Sequence, residues 1–202
     1  MQFPKTHGQC TYLRSIQSIK PITIATGPAG SGKTLLACQE ACIQLSKRRY
    51  DRIIFTRPVV AADEDLGYLP GDMGSKMEPW AMPMVEFVEK YLTHNQVQSR
   101  VDIEPLGFMR GRTFNNVFLI ADEMQNSTPK QMKMLLTRLG ENSKMVIIGD
   151  MDQSDLMCKN GLEDITDIID HSAMEYINYV DMSQEDVIRH DAVSEVLTLY
   201  KK

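Results

Sequence analysis

The chain has 202 residues, of which 43% are hydrophobic and 24% charged, with a formal net charge of −5. This is ordinary composition for one soluble globular domain, large enough for a full α/β core but too short for two nucleotide-binding motor domains, so any task needing two must draw on neighbouring subunits. The acidic balance excludes a protein that coats nucleic acid through its overall field, and no apolar run approaches the length of a membrane span. Residues 1–21 lack the apolar stretch of a signal peptide, so the expectation is a cytoplasmic location with no membrane partner. Cys10, Cys38, Cys42 and Cys158 form no Cys-x-x-Cys pair, and no histidine lies near Cys38 and Cys42, so all four read as reduced thiols.

In chain order, strand-like runs at Ile22–Thr26, Arg52–Thr56, Val101–Glu104, Val117–Ala121, Met145–Ile148 and Tyr176–Asp181 alternate with helix-like stretches at Leu35–Leu45, Ala81–Leu92, Pro129–Leu139, Leu162–Ile169 and Ala192–Leu199. The alternation predicts a single α/β domain over residues 1–202, with a mostly parallel sheet flanked by helices. The exception is Pro58 to Pro79, an aperiodic stretch with Asp63-Glu64-Asp65, Gly67, Pro70-Gly71 and Gly74. Its interleaved Leu66, Tyr68 and Leu69, with Trp80 just beyond, favour a packed loop over disorder.

The segment Gly27-Pro28-Ala29-Gly30-Ser31-Gly32-Lys33-Thr34 fits the phosphate-loop pattern at every fixed position and directly follows the first strand. Glycines let the backbone curl so that successive N–H groups and the next helix N-terminus face phosphate oxygens. Lys33 adds a point charge for the β- and γ-phosphates, and the Thr34 hydroxyl suits Mg²⁺. A glycine-rich turn with a chance lysine is the bland alternative; the strand before the loop and the amphipathic run after it argue against that.

The fourth strand run ends in Asp122-Glu123, two carboxylates at the edge where ligands sit in an open α/β sheet. Asp122 is placed to hold Mg²⁺, directly or through water, and Glu123 to take a proton from an attacking water. Without a phosphate loop the pair would read as a helix N-cap with a first-turn acid. Further on, Gly149-Asp150 closes another strand, and Gln153 three residues later is placed to touch the γ-phosphate or that water; in isolation this is equally a plain strand-to-helix loop. Together these sites resemble the ATP-site motifs of superfamily-one helicases, with Asp122-Glu123-Met124-Gln125 as the acidic motif and Gly149, Asp150 and Gln153 as the later one.

A closer resemblance covers nearly the whole chain. Thr56-Arg57-Pro58-Val59, Leu66-Gly67-Tyr68-Leu69-Pro70-Gly71-Asp72, Met109-Arg110-Gly111-Arg112-Thr113, Asp122-Glu123-Met124-Gln125-Asn126, Gln131 to Arg138 and Asp186-Val187-Ile188-Arg189-His190 look like the PhoH family of ATPases. The resemblance implies a single RecA-like core that hydrolyses ATP with Mg²⁺, assembly into rings (a hexamer) and a role in RNA metabolism. It marks Gln9 as a glutamine that reads adenine, and Arg189 as similar to the arginine with which such helicases reach the γ-phosphate. Asp63, Met157 and Asp191 depart from the family pattern, none of them at the phosphate chemistry. Some members carry an amino-terminal ribonuclease domain; only a short helix's worth of chain precedes the first strand here, so nuclease activity is not implied. A bacterial and a bacteriophage source fit equally.

Local basic residues remain to be placed. Lys47-Arg48-Arg49 reads most simply as a solvated helix C-terminus. Arg110 and Arg112 flank Gly111 in an aperiodic stretch; with Arg138 they are candidates to reach a neighbour's γ-phosphate in trans, with Arg189 acting in cis. Arg57, Arg110 and Arg112, with Tyr68 and Phe108, are also candidates for a basic, aromatic channel for single-stranded RNA or DNA. The alternative is that these arginines serve the ATP site or subunit contacts. Two other function classes stay open: a thymidine-kinase-type nucleoside kinase, weakened by the lack of paired zinc-binding cysteines, and a non-catalytic nucleotide-dependent RNA-binding scaffold, weakened by the presence of Glu123.

Overall fold

The computed structural model describes residues 4–58, 82–170, 174–190, 192–193 and 195–196. The elements are α1 (His7–Gln17), β1 (Ile22–Thr26), α2 (Lys33–Ser46), β2 (Arg52–Thr56), α3 (residues 82–89), α4 (His94–Arg100), β3 (Val101–Ile103), β4 (Val117–Ala121), α5 (Pro129–Leu136), β5 (Lys144–Ile148), α6 (Gly161–Asp170) and β6 (Ile177–Asp181). Short 3-10 turns occupy Leu106–Met109, Met124–Asn126, Met151–Gln153 and Gln184–Asp186.

The six strands form one sheet in the order β3-β2-β4-β5-β1-β6, and every pairing is parallel. β1, β4 and β5 are buried at every position, because helices cover both faces; this is why their sequences are continuous apolar runs rather than alternating ones. Ala25, Phe118, Ile120, Val146 and Ile148 point to one face, where they pack with Tyr12 of α1, Leu36 of α2, Val88 of α3 and Val97 of α4. Ile24, Leu119, Met145 and Ile147 point to the other, against Leu135 of α5 and Leu162 of α6. The fold is thus the predicted three-layer α/β domain with a RecA-like parallel sheet.

The strand order fixes the site. β5 lies between β1 and β4, so the loop after β5 emerges between the loop after β1 and the loop after β4, all at the carboxyl edge. The predicted strands agree with those observed to within one residue at each end. Two helices went unpredicted: α1, and the short α4 with its Thr93/Gln96 capping box. The predicted helix Pro129–Leu139 stops at Leu136, and Thr137 caps it. Most of Pro58 to Pro79, including Asp63 and Tyr68, lies outside the described residues, as do Asp191 and most of the predicted Ala192–Leu199 helix.

α1 is held down from a distance of about 180 residues in sequence. The Asp186 carboxylate accepts from the Thr6 hydroxyl and from the backbone N–H of Gly8 (3.0 Å) and Ser183 (2.9 Å), clamping α1 to the segment after β6. Position 8 must be glycine for this approach, since a Cβ there would run into the Asp186 carboxylate. Burial alone would raise the Asp186 carboxyl, but hydrogen bonds from Thr6, Ser183 and Gly8 outweigh it and hold the carboxyl below its ordinary range. Its contribution is therefore present above the ordinary carboxylate range and lost as pH falls through the lowered value. Asp186→Asn should cost about 1–3 kcal/mol at neutral pH in urea unfolding, and the difference from wild type should shrink as the pH is taken below 4; a pH-independent difference would contradict the clamp.

Candidate nucleotide-binding site

The phosphate loop runs from the buried end of β1 into α2, whose N-cap, Gly32, is left-handed and offers no side-chain cap. The first-turn N–H groups of α2 are therefore aimed at the loop's concavity without a side-chain acceptor, the arrangement that suits an anion. Gly30 has φ +87°, and a Cβ there would come within 2.6 Å of the Arg189 Nε, so both the backbone and the neighbour demand glycine. The buried Lys33 ammonium donates to the carbonyls of Gly27 (2.6 Å) and Pro28 (2.9 Å) and to the Ser31 hydroxyl (3.1 Å). Burial lowers its pKa from the ordinary lysine value, against the raising effect of Asp150, Asp122, Glu123 and Asp181.

A cavity of about 420 Å³ opens over the loop. Ala29, Gly30, Gly32, Lys33 and Thr34 line it together with Asp122, Glu123, Asp150 and Gln153, so the three predicted motif segments meet in one place. Arg57 lines it too, as do Met84 and Phe87 of α3, an apolar wall that the sequence reading did not assign to the site. The Thr34 hydroxyl donates to the Asp122 carboxylate at 3.1 Å, and the Glu123 N–H donates to its other oxygen at 3.0 Å. Burial, with the Glu123 charge beside it, pushes the Asp122 carboxyl up to about 6.

Glu123 has φ +54° and ψ +36°, a left-handed backbone that a glutamate seldom adopts. Its carboxylate is held on both oxygens: Arg57 Nη2 lies 3.3 Å from Oε1, and Gln125 Nε2 donates to Oε2 at 2.6 Å. Gln125, which the sequence shows only as part of a motif, joins the site in the structure. It is buried, and its Oε1 accepts from the Asp150 N–H at 3.1 Å. Asp150, likewise unassigned, accepts from the Ala29 N–H at 2.9 Å and from Gln153 Nε2 at 2.8 Å.

Arg189 sits over the loop in cis, its guanidinium donating to the Ala29 carbonyl, while the Ile188 N–H donates to the Gly30 carbonyl at 3.1 Å. Gln9 lies behind the loop rather than in the cavity: Nε2 donates to the Ser31 carbonyl at 3.0 Å and Oε1 accepts from the Lys5 N–H at 2.8 Å. In this position it braces the loop with both ends of its carboxamide engaged.

The four remaining arginines do not form one cluster. Arg57 belongs to the cavity, through Glu123. Arg112 pairs with Glu104 at 2.7 Å and lies 4.7 Å from the centroid of the Phe114 ring, and Arg138 donates to the Arg112 carbonyl at 2.9 Å. Arg110 is exposed and has no side-chain hydrogen bond or ion pair among the described residues; Phe108, two residues before it, is 57% exposed. Lys47, Arg48 and Arg49 are exposed beyond the end of α2, as a solvated helix terminus should be. Cys38 and Cys42 are buried free thiols, and burial raises both, Cys42 to about 12.

A family model described as PhoH-like protein matches residues 3–201. The chain belongs to the PhoH family. It is 39% identical to a PhoH-like protein of Synechocystis over 98% of this chain and 62% of that protein, and 38% identical to one of Bacillus subtilis over 98% and 63%. Protein PhoH of Escherichia coli K12 is 40% identical over 97% of this chain and 57% of its own length. The chain thus spans about three fifths of the relatives it matches. A solved chain described under "Structural Basis for DNA Unwinding at Forked dsDNA by two coordinating Pif1 helicases" aligns with 91% of this chain and 44% of its own, at 16% identity and a TM-score of 0.38, too slight a likeness to argue from. Among the described residues, no helix is long and apolar enough to cross a membrane. Family and site together make this a P-loop nucleotide-binding protein.

The raised Asp122 carboxyl has a thermodynamic consequence. A carboxyl near 3.8 in the unfolded chain and about 6 in the folded one binds its proton more tightly when folded, so its contribution to stability falls as pH rises from about 4 to about 6 and is level above that. In magnesium-free, nucleotide-free buffer, Asp122→Asn should therefore gain on wild type across that window, each kcal/mol of gain being worth about 2–4 °C in a chain this size. Thermal melts at pH 4, 5, 6 and 7 check it; a difference that does not grow over the window would contradict the assignment.

Proposed function

We propose that this protein is a cytoplasmic, Mg²⁺-dependent ATPase that cleaves ATP to ADP and phosphate, assembles into closed hexameric rings and works on RNA or single-stranded nucleic acid. The observation that carries the hydrolase reading is Glu123, a carboxylate beyond the metal-site aspartate that shares one cavity with the phosphate loop. A pure nucleotide binder needs Lys33 and Thr34 but no such base.

The donor set fits magnesium. Thr34 Oγ1 and Asp122 Oδ2 lie 3.1 Å apart at the cavity floor, one hydroxyl and one carboxylate, and Mg²⁺ takes few protein oxygens because it keeps waters and substrate phosphates. When bound, the ion supplies charge neutralisation on the β- and γ-phosphate oxygens. The chain's own residues do the rest. Loop N–H groups and Lys33 hold the phosphates, with Lys33 exchanging its carbonyl partners for phosphate oxygens. Glu123 accepts a proton from a water whose oxygen bonds to the γ-phosphorus, while the bond from that phosphorus to the β–γ bridging oxygen breaks and its electron pair leaves with ADP. Gln153, which lines the cavity, and Arg189, which lies over the loop, would reach the γ-phosphate, and Gln9 braces the loop from behind.

Glu123→Gln should keep ATP binding and lose most turnover, whereas Lys33→Ala should lose binding as well, since Lys33 contacts phosphate in ground and transition states alike. Phosphate release and equilibrium nucleotide binding check both; near-normal turnover of Glu123→Gln in a contaminant-free preparation excludes the hydrolase reading.

For assembly and nucleic acid the best-placed residue is Arg110, exposed and unpaired among the described residues and close in sequence to the exposed Phe108. An arginine supplied in trans is worth roughly 10³ to 10⁵ in rate. Arg110→Ala should abolish stimulation of turnover by protein concentration or by a single strand while leaving the ADP affinity unchanged. Specific activity over a dilution series, with mass photometry on the same samples and with and without single-stranded RNA, tests it; a monomer with undiminished turnover defeats the ring requirement.

A further inference from the structure

Of the arginines in this chain, Arg57 stands in a different relation to the site from the rest. It follows the last residue of β2, and β2 and β4 pair in register with Thr56 opposite Ala121, so Arg57 stands level with Asp122 at the carboxyl edge. The Thr56 carbonyl accepts from the Asp122 N–H at 3.0 Å, which fixes that level. Its side chain lines the cavity that Gly30, Lys33 and Thr34 also line, and its guanidinium lies 3.3 Å from Glu123 Oε1. The two oxygens of Glu123 are thus held unequally. Oε2 is held at 2.6 Å by Gln125, which is buried and tied through its other end to Asp150. Oε1 is held at a longer distance by an arginine about a third exposed.

A carboxylate paired with a cation is the weaker base, and of its two partners Arg57 is the cation, the more exposed and the more distant, so Oε1 is the oxygen the cavity can release. The cavity supplies a reason for release. A γ-phosphoryl group seated on Lys33 and the loop N–H groups presents oxygens on the wall that Arg57 lines, and a guanidinium pairs with phosphate at least as well as with a carboxylate. A diphosphate presents no such group.

We propose that Arg57 is a γ-phosphate-reading catalytic residue: triphosphate binding draws its guanidinium from Glu123 to the γ-phosphoryl oxygens, which frees Glu123 Oε1 to receive the water proton and makes the base available only when there is a bond to cleave. This rests on the ATPase reading and adds to it the residue that separates triphosphate from diphosphate. No proton or electron moves in the exchange itself; one ion pair replaces another.

The exchange predicts a competition between Glu123 and the γ-phosphate for one guanidinium. The test measures equilibrium binding of the β,γ-imido analogue of ATP and of ADP, both with Mg²⁺, to wild type, Arg57→Ala, Arg57→Lys, Glu123→Gln and the double variant Arg57→Ala with Glu123→Gln. Arg57→Ala should weaken the analogue about tenfold or more and ADP less than twofold, and Arg57→Lys should restore part of the difference. Glu123→Gln should bind the analogue several-fold more tightly than wild type, because Arg57 no longer has to leave a partner, and this gain should vanish on the Arg57→Ala background. ADP affinity is the internal control for folding. Parallel losses of both ligands in Arg57→Ala make the residue merely structural and overturn the proposal. So does an equal or larger gain from Glu123→Gln when Arg57 is absent, which is simple relief of repulsion. If wild type binds the analogue but releases no phosphate from ATP, the ATPase reading falls instead, whichever way Arg57 behaves.

Discussion

The hydrogen bond from the Ala29 N–H to the Asp150 carboxylate joins the phosphate loop to the strand beside it, and the rest of the site hangs from that joint. Asp150 offers its own N–H to Gln125, and Gln125 holds Glu123. Loop, β5 and β4 are thereby coupled through three contacts of 2.6–3.1 Å, two of them made by the buried Gln125. Such a chain is costly to leave half-made, because each unpaired buried polar atom carries a desolvation penalty of about 1–3 kcal/mol. It is possible only because β5 is inserted between β1 and β4. In an order that placed β4 directly beside β1, Gln125 would have no neighbour strand to reach across.

The same joint explains why Glu123 holds a left-handed backbone. The chain leaves β4 at Ala121, must set Asp122 beside Thr34, and must then turn within one residue so that Gln125 reaches Asp150. The turn falls on Glu123. Backbone strain of this kind costs on the order of 1–3 kcal/mol and persists only where surroundings over-determine it, here an aspartate fixed on one side and a buried amide on the other. Asp122 is a second local cost, a carboxylate buried next to another. Both costs fall on the residues assigned to metal and base, which is where folding stability and chemistry conflict.

What could be read from the sequence follows physical range. β1, β4 and β5 were legible because both faces are buried, which leaves long apolar runs that nothing else imitates. The phosphate loop was legible because its chemistry is written in consecutive residues. α1 was not: its sequence is largely polar, its helical moment is carried by Tyr12 and Ile16, and its anchor is Asp186, on the far side of the chain. In the sequence Arg57 has no stronger claim than Arg110, because its partner is decided by the register of β2 against β4, which no local pattern records. Gln125 has no legible role in the sequence, since a glutamine two residues after a glutamate has a meaning only once the strand beyond it is known.

The charges around the loop carry the argument one step further. Lys33 feels Asp150, Asp122, Glu123 and Asp181, four carboxylates, while Arg57 and Arg189 are, among the described residues, the other cations at the site. A triphosphate entering alone would add negative charge to a site that already holds an excess of it, and would have to displace Lys33 from its two carbonyls and Arg57 from Glu123. Under the proposed reading, the divalent cation on Thr34 and Asp122 is what reverses that balance, and it does so at the carboxylate whose burial makes ionisation most costly. Metal, nucleotide and Arg57 then bind as a set, because each removes a repulsion that opposes the others. A protein of net charge −5 can in this way hold a polyanion tightly at one place despite its own negative charge.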